Sequence, residues 1–322
     1  MDNSHDTLTG LSNMAFPDFT PPNPASPDAL SNDLATLIAR FAPIDGIHHT
    51  AIASLTFHRF STPAKEESAF TKVALIFAAQ GAKTVTVGDA SYSYDTKHCL
   101  VTSLDMPVIG RVTQASPEAP YLCFAMEIDM QKVADIVASH DLPPPDEPPA
   151  GLGISLSPLP AELLEATWRL ARLLNTPKHI PTLAPLIEQE ILYRLLMSSQ
   201  GMRLRHTLVA DSRAFKVSKA VEWIKTHYAG PISIDALASH VNMSVSSLHQ
   251  HFKEATAMSP LQYQKRLRLL EARRLLIKRP GDLGVVASAV GYENLSQFHR
   301  EYKRLFGAPP IQDAARLRSD SV

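Results

Sequence analysis

Two sets of polar side chains in the C-terminal third share one chemical character. Ser246, His249, Gln250 and Lys253 recur at helical spacing, and Ser296, Gln297, Arg300 and Arg304 repeat the pattern further on. Each set offers hydrogen-bond donors and acceptors without a bulky apolar group, the surface a helix needs to enter the DNA major groove and meet base edges. In that chemistry Arg300 is placed to reach a guanine edge through two bonds, and Gln250 favours adenine. The opposite faces are apolar. Val245, Leu248 and Phe252 form one stripe, and Leu295, Phe298, Tyr302 and Leu305 form the other, so each segment predicts a helix with one buried side.

Such a helix must be held by a second one across a tight turn, the helix-turn-helix arrangement. Ile234 to Val241 predicts the first supporting helix, with Ala238 small enough for close packing, a turn at Asn242-Met243, and Ser244 as the cap of a second helix running to about Glu254. The second copy starts at Val285. Val286, Ala289 and Val290 supply its apolar side, Gly291 permits a left-handed turn, and Asn294 caps the next helix. Between the copies, Leu261 to Lys278 predicts a connector helix, ~27 Å long at ~1.5 Å per residue. Successive major grooves on one DNA face lie ~34 Å apart, so this connector suits two helices in neighbouring grooves. Its basic residues Lys265, Arg266, Arg268, Arg273 and Arg274 either contact phosphate or form a solvated face. Residues 213–322 carry a net charge of +8 against −9 for residues 1–212, although the whole chain is at −1. A polyanion is drawn to the former and repelled by the latter. One helical hairpin arises easily by chance; two, joined by a basic helix in a positive segment, favour DNA over a helical bundle for protein contacts.

The rest of the chain follows another grammar. Residues 1–30 are rich in Ser, Asn, Asp and Pro and read as a disordered tail, followed by a short helix from Asp33 to Phe41. Strands are expected around Ile52, Leu55 and Phe57, then at Val73–Ala79, Ser91–Tyr94, Cys99–Ser103, Val108–Thr113 and Tyr121–Met126, with turns at Gly81 and Gly88-Asp89. Short, evenly spaced strands suggest a sandwich or small barrel. Asp129 looks like the cap of a helix to about His140, and Pro143 to Pro149 must be extended. Leu163, Leu164, Trp168, Leu170, Leu173 and Leu174, and then Ile187, Ile191, Leu192, Leu195 and Leu196, mark two apolar helices that either pack on the strands or pair with a second subunit. Thr207 to Arg213 reads as a polar connector. The expected division is a tail at 1–30, a β domain at 31–142, a Pro-rich loop and linker helices at 143–212, and a DNA-binding domain at 213–322.

With 45% apolar and 20% charged residues, the composition is that of a soluble globular protein. No apolar run approaches the ~18 residues of a membrane span, and no secretory signal opens the chain, so a cytoplasmic location is expected. Cys99 and Cys123 fit neither a disulfide framework nor a zinc motif. Each is read as a small core residue, with a thiol sensor for an electrophile such as an aldehyde as the sharper alternative. Arg59 ends a strand and is a candidate for an anionic effector, against an ordinary salt bridge. There is no Walker loop, no G-x-S-x-G and no dinucleotide fingerprint in a strand context.

Residues 215–316 resemble the DNA-binding domain of the AraC/XylS family of bacterial regulators. The segments MSVSSLHQHFKEATAMSPLQYQKRLRLLEARRLL and VGYENLSQFHREYKRLFGAPP carry the likeness. Gly81 to Val108 and Leu183 to Leu196 are similar to the N-terminal domain of one AraC subgroup, which implies a cupin-like β-barrel followed by helices. The resemblance thus covers most of residues 46–316 and implies an α+β chain with an effector or oligomerisation domain. Two positions depart from the pattern: Gln250 stands where the subgroup has Arg after the His of SxxHRxF, and Asn294-Leu295 replaces a common Ser-Pro. The first change alters base preference, since Gln favours adenine and Arg guanine. The expected function is a one-component regulator and not an enzyme, needing no cofactor. Its expected partners are double-stranded promoter DNA, a small-molecule effector, a possible homodimer partner, and RNA polymerase if it activates, with no membrane partner. The rival is a cupin-type metalloenzyme with a helical oligomerisation tail, to which His48, His49, His58 and His98 would have to supply the ligands; their spacing lacks the usual His-x-His with a nearby Glu.

Overall fold

The computed structural model describes residues 26–63, 66–140, 142, 151–278 and 282–319. It opens on α1 (Pro27–Phe41), where Ser26 accepts the Ala29 N–H at 3.3 Å and Pro27 takes the first helical position. A Ser-Pro pair is a strong start signal, because proline's fixed φ suits the first turn and its missing N–H is not needed there. The helix therefore begins well before Asp33 and claims the last residues of the expected tail; the remainder of that tail, residues 1–25, falls outside the described residues. Leu30, Leu34, Leu37 and Ile38 turn inward.

Ten strands follow: β1 (Gly46–His49), β2 (Leu55–Phe60), β3 (Glu67–Thr71), β4 (Ala74–Gln80), β5 (Ala82–Val87), β6 (Ala90–Tyr94), β7 (His98–Thr102), β8 (Met106–Gln114), β9 (Tyr121–Glu127) and β10 (Ile154–Pro158). They form a six-stranded sheet in the order β1-β2-β9-β4-β7-β10 and a four-stranded sheet in the order β3-β8-β5-β6. The barrel implied by the resemblance is thus open, two sheets face to face. Ile52, expected in a strand, is buried in the turn before β2.

Strand β9 shows how the layers are built. Leu122, Phe124 and Met126 belong to a core shared with the helices, while Tyr121, Cys123 and Ala125 face the space between the sheets. Alternate side chains point to opposite faces, so a strand this apolar must be covered on both. The outer cover is α1 with α2 (Met130–Ser139), α3 (Ala161–Arg172), α4 (Ile180–Met197) and α5 (Gly201–His206). Asp129 caps α2 as expected, accepting the Gln131 N–H at 2.8 Å. The stretch from Pro143 to Pro149 lies outside the described residues.

Thr207 is buried and Leu208 packs against the first core, so the expected polar connector is partly an extension of that core. Ser212 then caps α6 (Arg213–His227), which leads into α7 (Ile234–His240), α8 (Val245–Thr256), α9 (Pro260–Lys278), α10 (Leu283–Ala289), α11 (Leu295–Phe306) and α12 (Pro310–Ser319).

Candidate nucleic-acid interface

In the first helix-turn-helix, α7 and α8 meet across Asn242, whose φ of +52° reverses the chain. Ser244 caps α8 by accepting the Ser247 N–H at 3.2 Å. Leu248 and Phe252 are fully buried, and Phe252 meets Tyr263 of α9 edge to face at 5.5 Å. Val245, expected in the buried stripe, is 37% exposed: as the first residue of α8 it projects beyond the packed turn. Ser246, His249, Gln250 and Lys253 are all exposed.

The second unit repeats the geometry with one shift. Helix α10 starts at Leu283, two residues before the expected Val285, because Asp282 caps it. Its buried side is Val286, Ala287 and Val290, whereas Ala289 and Val285 are exposed. Gly291 has a φ of +86°, and a Cβ there would stand 2.0 Å from the Ala229 carbonyl oxygen, so the position excludes any side chain. Asn294 caps α11 through the Gln297 N–H at 2.9 Å. Phe298 and Tyr302 are buried and Leu305 is half-buried, but Leu295 is 44% exposed for the same reason as Val245. Ser296, Gln297, Arg300 and Arg304 are exposed.

Helix α9 is the expected connector, at 19 residues ~28 Å long. Most of the basic residues named on it have partners within the molecule. Arg268 donates to the carbonyls of Tyr228 (2.6 Å), Gly230 (2.8 Å), Ala229 (3.1 Å) and Gly291 (2.8 Å), tying both units to one side chain. Arg273 pairs with the fully buried Asp313 at 2.8 Å and with Glu67 at 2.9 Å. Burial pushes the Asp313 carboxyl up, but hydrogen bonds from Arg273, Arg316 and Tyr302 outweigh it and hold it below the usual carboxylate range. Lys265 pairs with Glu301 and Arg274 with Glu271. Among the described residues Arg266 reaches only Ser68, at 3.4 Å, and its Nε has no hydrogen-bond partner.

The candidate effector residues lie apart from one another. Arg59 donates to the Ala42 carbonyl at 3.3 Å and stands 3.7 Å from Asp45, a structural bridge. Cys99 faces the helices and Cys123 the space between the sheets. Burial pushes both thiols up, so each is held protonated, which disfavours a reactive thiolate. Lys83, which sequence reasoning missed, lies close enough to Cys123 to oppose that shift. It is a lysine on a strand that was itself not expected. His48 bonds the Ile44 carbonyl at 2.8 Å, His98 bonds Asp95 at 2.9 Å, and burial depresses His58 to about 3. Among the described residues no three His, Cys, Asp or Glu side chains are grouped to hold a metal ion.

Two family models match this architecture: the AraC-type transcriptional regulator N-terminus over residues 51–203 and a helix-turn-helix domain over residues 237–316. The HTH-type transcriptional activator RhaS of Escherichia coli (strain K12 / DH10B) is 28% identical over 123 residues, 38% of this chain and 44% of RhaS. The chain thus matches under half the length of this curated relative. Among solved structures, ToxT from Vibrio cholerae superposes with a TM-score of 0.57 at 11% identity, covering 81% of this chain and 97% of ToxT. An unsaturated fatty acid-bound form of ToxT from strain SCE256 superposes at 0.56, also at 11% identity, over 81% of this chain and 94% of that one. These likenesses extend through both halves of the molecule. With its N-terminal and helix-turn-helix regions both matched, the chain belongs to the AraC/XylS family of transcription regulators.

Proposed function

We propose that this protein regulates transcription by placing α8 and α11 in successive major grooves of promoter DNA, under control of a small-molecule effector. The observation that carries the reading is the pair of exposed polar faces, one on each helix, mounted on a single connector by Arg268. Residues 213–322 act as the DNA-binding domain. Residues 31–142 act as the effector domain, and the segment 143–212 links them. Ser246, His249, Gln250 and Lys253 meet one groove, and Ser296, Gln297, Arg300 and Arg304 the other. The protein works as a regulator rather than an enzyme, in the cytoplasm where promoter DNA lies, and meets RNA polymerase if it activates. Selection of sites from random DNA tests this: Arg300→Ala and Gln250→Ala should each relax one base pair, by ~1–3 kcal/mol of discrimination, about one helical turn (~10 base pairs) apart. Relaxation of the same base pair by both variants, or of none, sinks the two-groove reading.

The effector has a candidate seat in a cleft of about 590 Å³ between strands β3, β5 and β8 of the four-stranded sheet and helices α9 and α11. This volume suits a small ligand. Val87, Ile109, Met258 and Leu305 give it apolar walls, and Lys265, the incompletely satisfied Arg266 and Arg304 line it together with Glu66 and Glu301. An amphipathic carboxylate fits that chemistry, and the fatty acid-bound form of ToxT is a fold-level parallel. Because Arg304 also belongs to the proposed DNA face, a ligand there would act on both. A homodimer is supported by α4. Its inner face is core, while Leu183, Leu186, Tyr193 and Met197 remain 39–60% exposed at near-heptad spacing. Leu186→Lys should leave a monomer in sedimentation analysis.

A further inference from the structure

We infer that Glu301 is a positioning residue for sequence preference: it fixes which way the Gln297 amide faces the DNA. Glu301 lies on α11, one turn after Gln297, and its Oε1 accepts the Gln297 Nε2–H at 3.2 Å. Two other elements hold the carboxylate in place. Lys265 of α9 pairs with it, the Tyr292 hydroxyl from the turn donates to Oε2 at 2.7 Å, and its side chain is only 12% exposed. Burial alone pushes this carboxyl up, but Lys265, Tyr292 and Gln297 together hold it below the usual range, so it remains a charged acceptor.

A carboxylate only accepts. The Gln297 amide must therefore turn its NH2 inward and its oxygen outward. In that pose Oε1 and one remaining N–H face solvent, the pair that adenine's N6–H and N7 require. Guanine, which offers two acceptors on this edge, is disfavoured. Fixing the side chain before DNA arrives also removes part of the ordering cost of binding. The first unit repeats the device in a looser form. Gln250 Nε2 donates to Glu254 at 2.9 Å, but Glu254 is 51% exposed and its other partner is His251 on the same helix. Nothing from α9 or the turn braces it in the described contacts, so Gln250 is oriented less firmly than Gln297.

This inference rests on the reading that the free face of α11 meets DNA. The test uses the full-length protein and selection from random DNA, followed by competition binding on single-base variants of the selected site. Gln297→Ala first identifies the base pair that this residue reads. Glu301→Gln, whose amide can donate as well as accept, should lower discrimination at that base pair about fivefold or more and leave the Arg300 position unchanged. Combined with Gln297→Ala it should add no further loss there. Tyr292→Phe removes one brace and should loosen the same base pair by a smaller factor, which keeps the inference testable if Glu301→Gln does not fold. Equal weakening on all sequences, or unchanged preference at the Gln297 position, overturns it. A wild-type protein without any sequence preference would sink the underlying reading instead.

Discussion

The two helix-turn-helix units have the same local grammar and different foundations. The first shares one hydrophobic cluster with the sheets: Leu248, Phe252 and Tyr263 are continuous with Val85, Tyr94, Leu100 and Tyr121. Phe70 of β3 meets Tyr263 edge-on at 6.4 Å, and the Tyr263 hydroxyl donates to the Asp105 carbonyl at 2.7 Å. Gly88, at a φ of +60°, lies so near Ala257 that a Cβ would stand 2.6 Å away. The second unit has its own cluster, from Leu269 to Ala314, with no residue from the N-terminal half among the described residues. It meets β3 through polar groups, chiefly Arg273 with Glu67. Apolar contact is short-ranged and resists separation, whereas a half-exposed ion pair is weak and screened. The first unit is thus continuous with the core between the sheets, whereas the second is joined to the sheets mainly through polar contacts.

The largest expected effect comes from the core of each unit. Phe252→Ala and Phe298→Ala should each cost ~3–5 kcal/mol, but in different places. Hydrogen exchange should show Phe252→Ala loosening the sheets as well as α8, and Phe298→Ala confined to the C-terminal half of α9 and α10–α12. Spread of the second effect into the sheets would erase the contrast. Asp313→Ala should cost a similar ~3–5 kcal/mol, since it leaves the buried Arg273 with the half-exposed Glu67 as its remaining carboxylate among the described residues, and this loss too should centre on the second unit.

Acid sharpens the same contrast. The folded Asp313 carboxyl titrates below its unfolded value, so its stabilisation is fully present above the unfolded pKa of ~3.9 and is lost as pH falls through the folded one. On acid titration α11 and α12 should lose exchange protection before α8 does. Next in size, Tyr263→Phe should cost ~1 kcal/mol by removing one hydrogen bond to the loop between β7 and β8, measured as a lower melting temperature with site preference intact. Smallest of all, Lys253→Ala should weaken binding almost equally on every DNA sequence and flatten the salt dependence by ~1 in log–log slope. A sequence-selective loss would place Lys253 on a base edge instead.

Much of the candidate interface was legible because caps and turns are local. Ser244, Asn294 and Gly291 act within a few residues of themselves, and all three stand where their types require. The helix ends were less legible: Val245 and Leu295 are apolar, yet the first residue of each helix lies beyond the reach of its partner. Four strands, β1, β3, β5 and β10, were missed. Three of them, β1, β3 and β5, are short and half-covered, with Lys, Thr, Ser and His among their residues, so their alternation gives little signal.

Composition, spacing and capping by themselves determined two helical hairpins on a basic connector, a strand-rich domain before them, and which side chains are left free on α8 and α11. Those follow from periodicity and local hydrogen bonding. Only the tertiary structure decided what the charges do. Arg268, Arg273 and Lys265 looked equally available for phosphate, and their carbonyl and carboxylate partners come from segments up to 40 residues away or more. It also decided that the first unit is continuous with the sheets, because a hydrophobic contact such as Phe70 on Tyr263 has no signature in either segment alone. The physical reason is the same in both cases: burial and charge pairing are set by which surfaces meet, and a linear pattern records only what each surface offers.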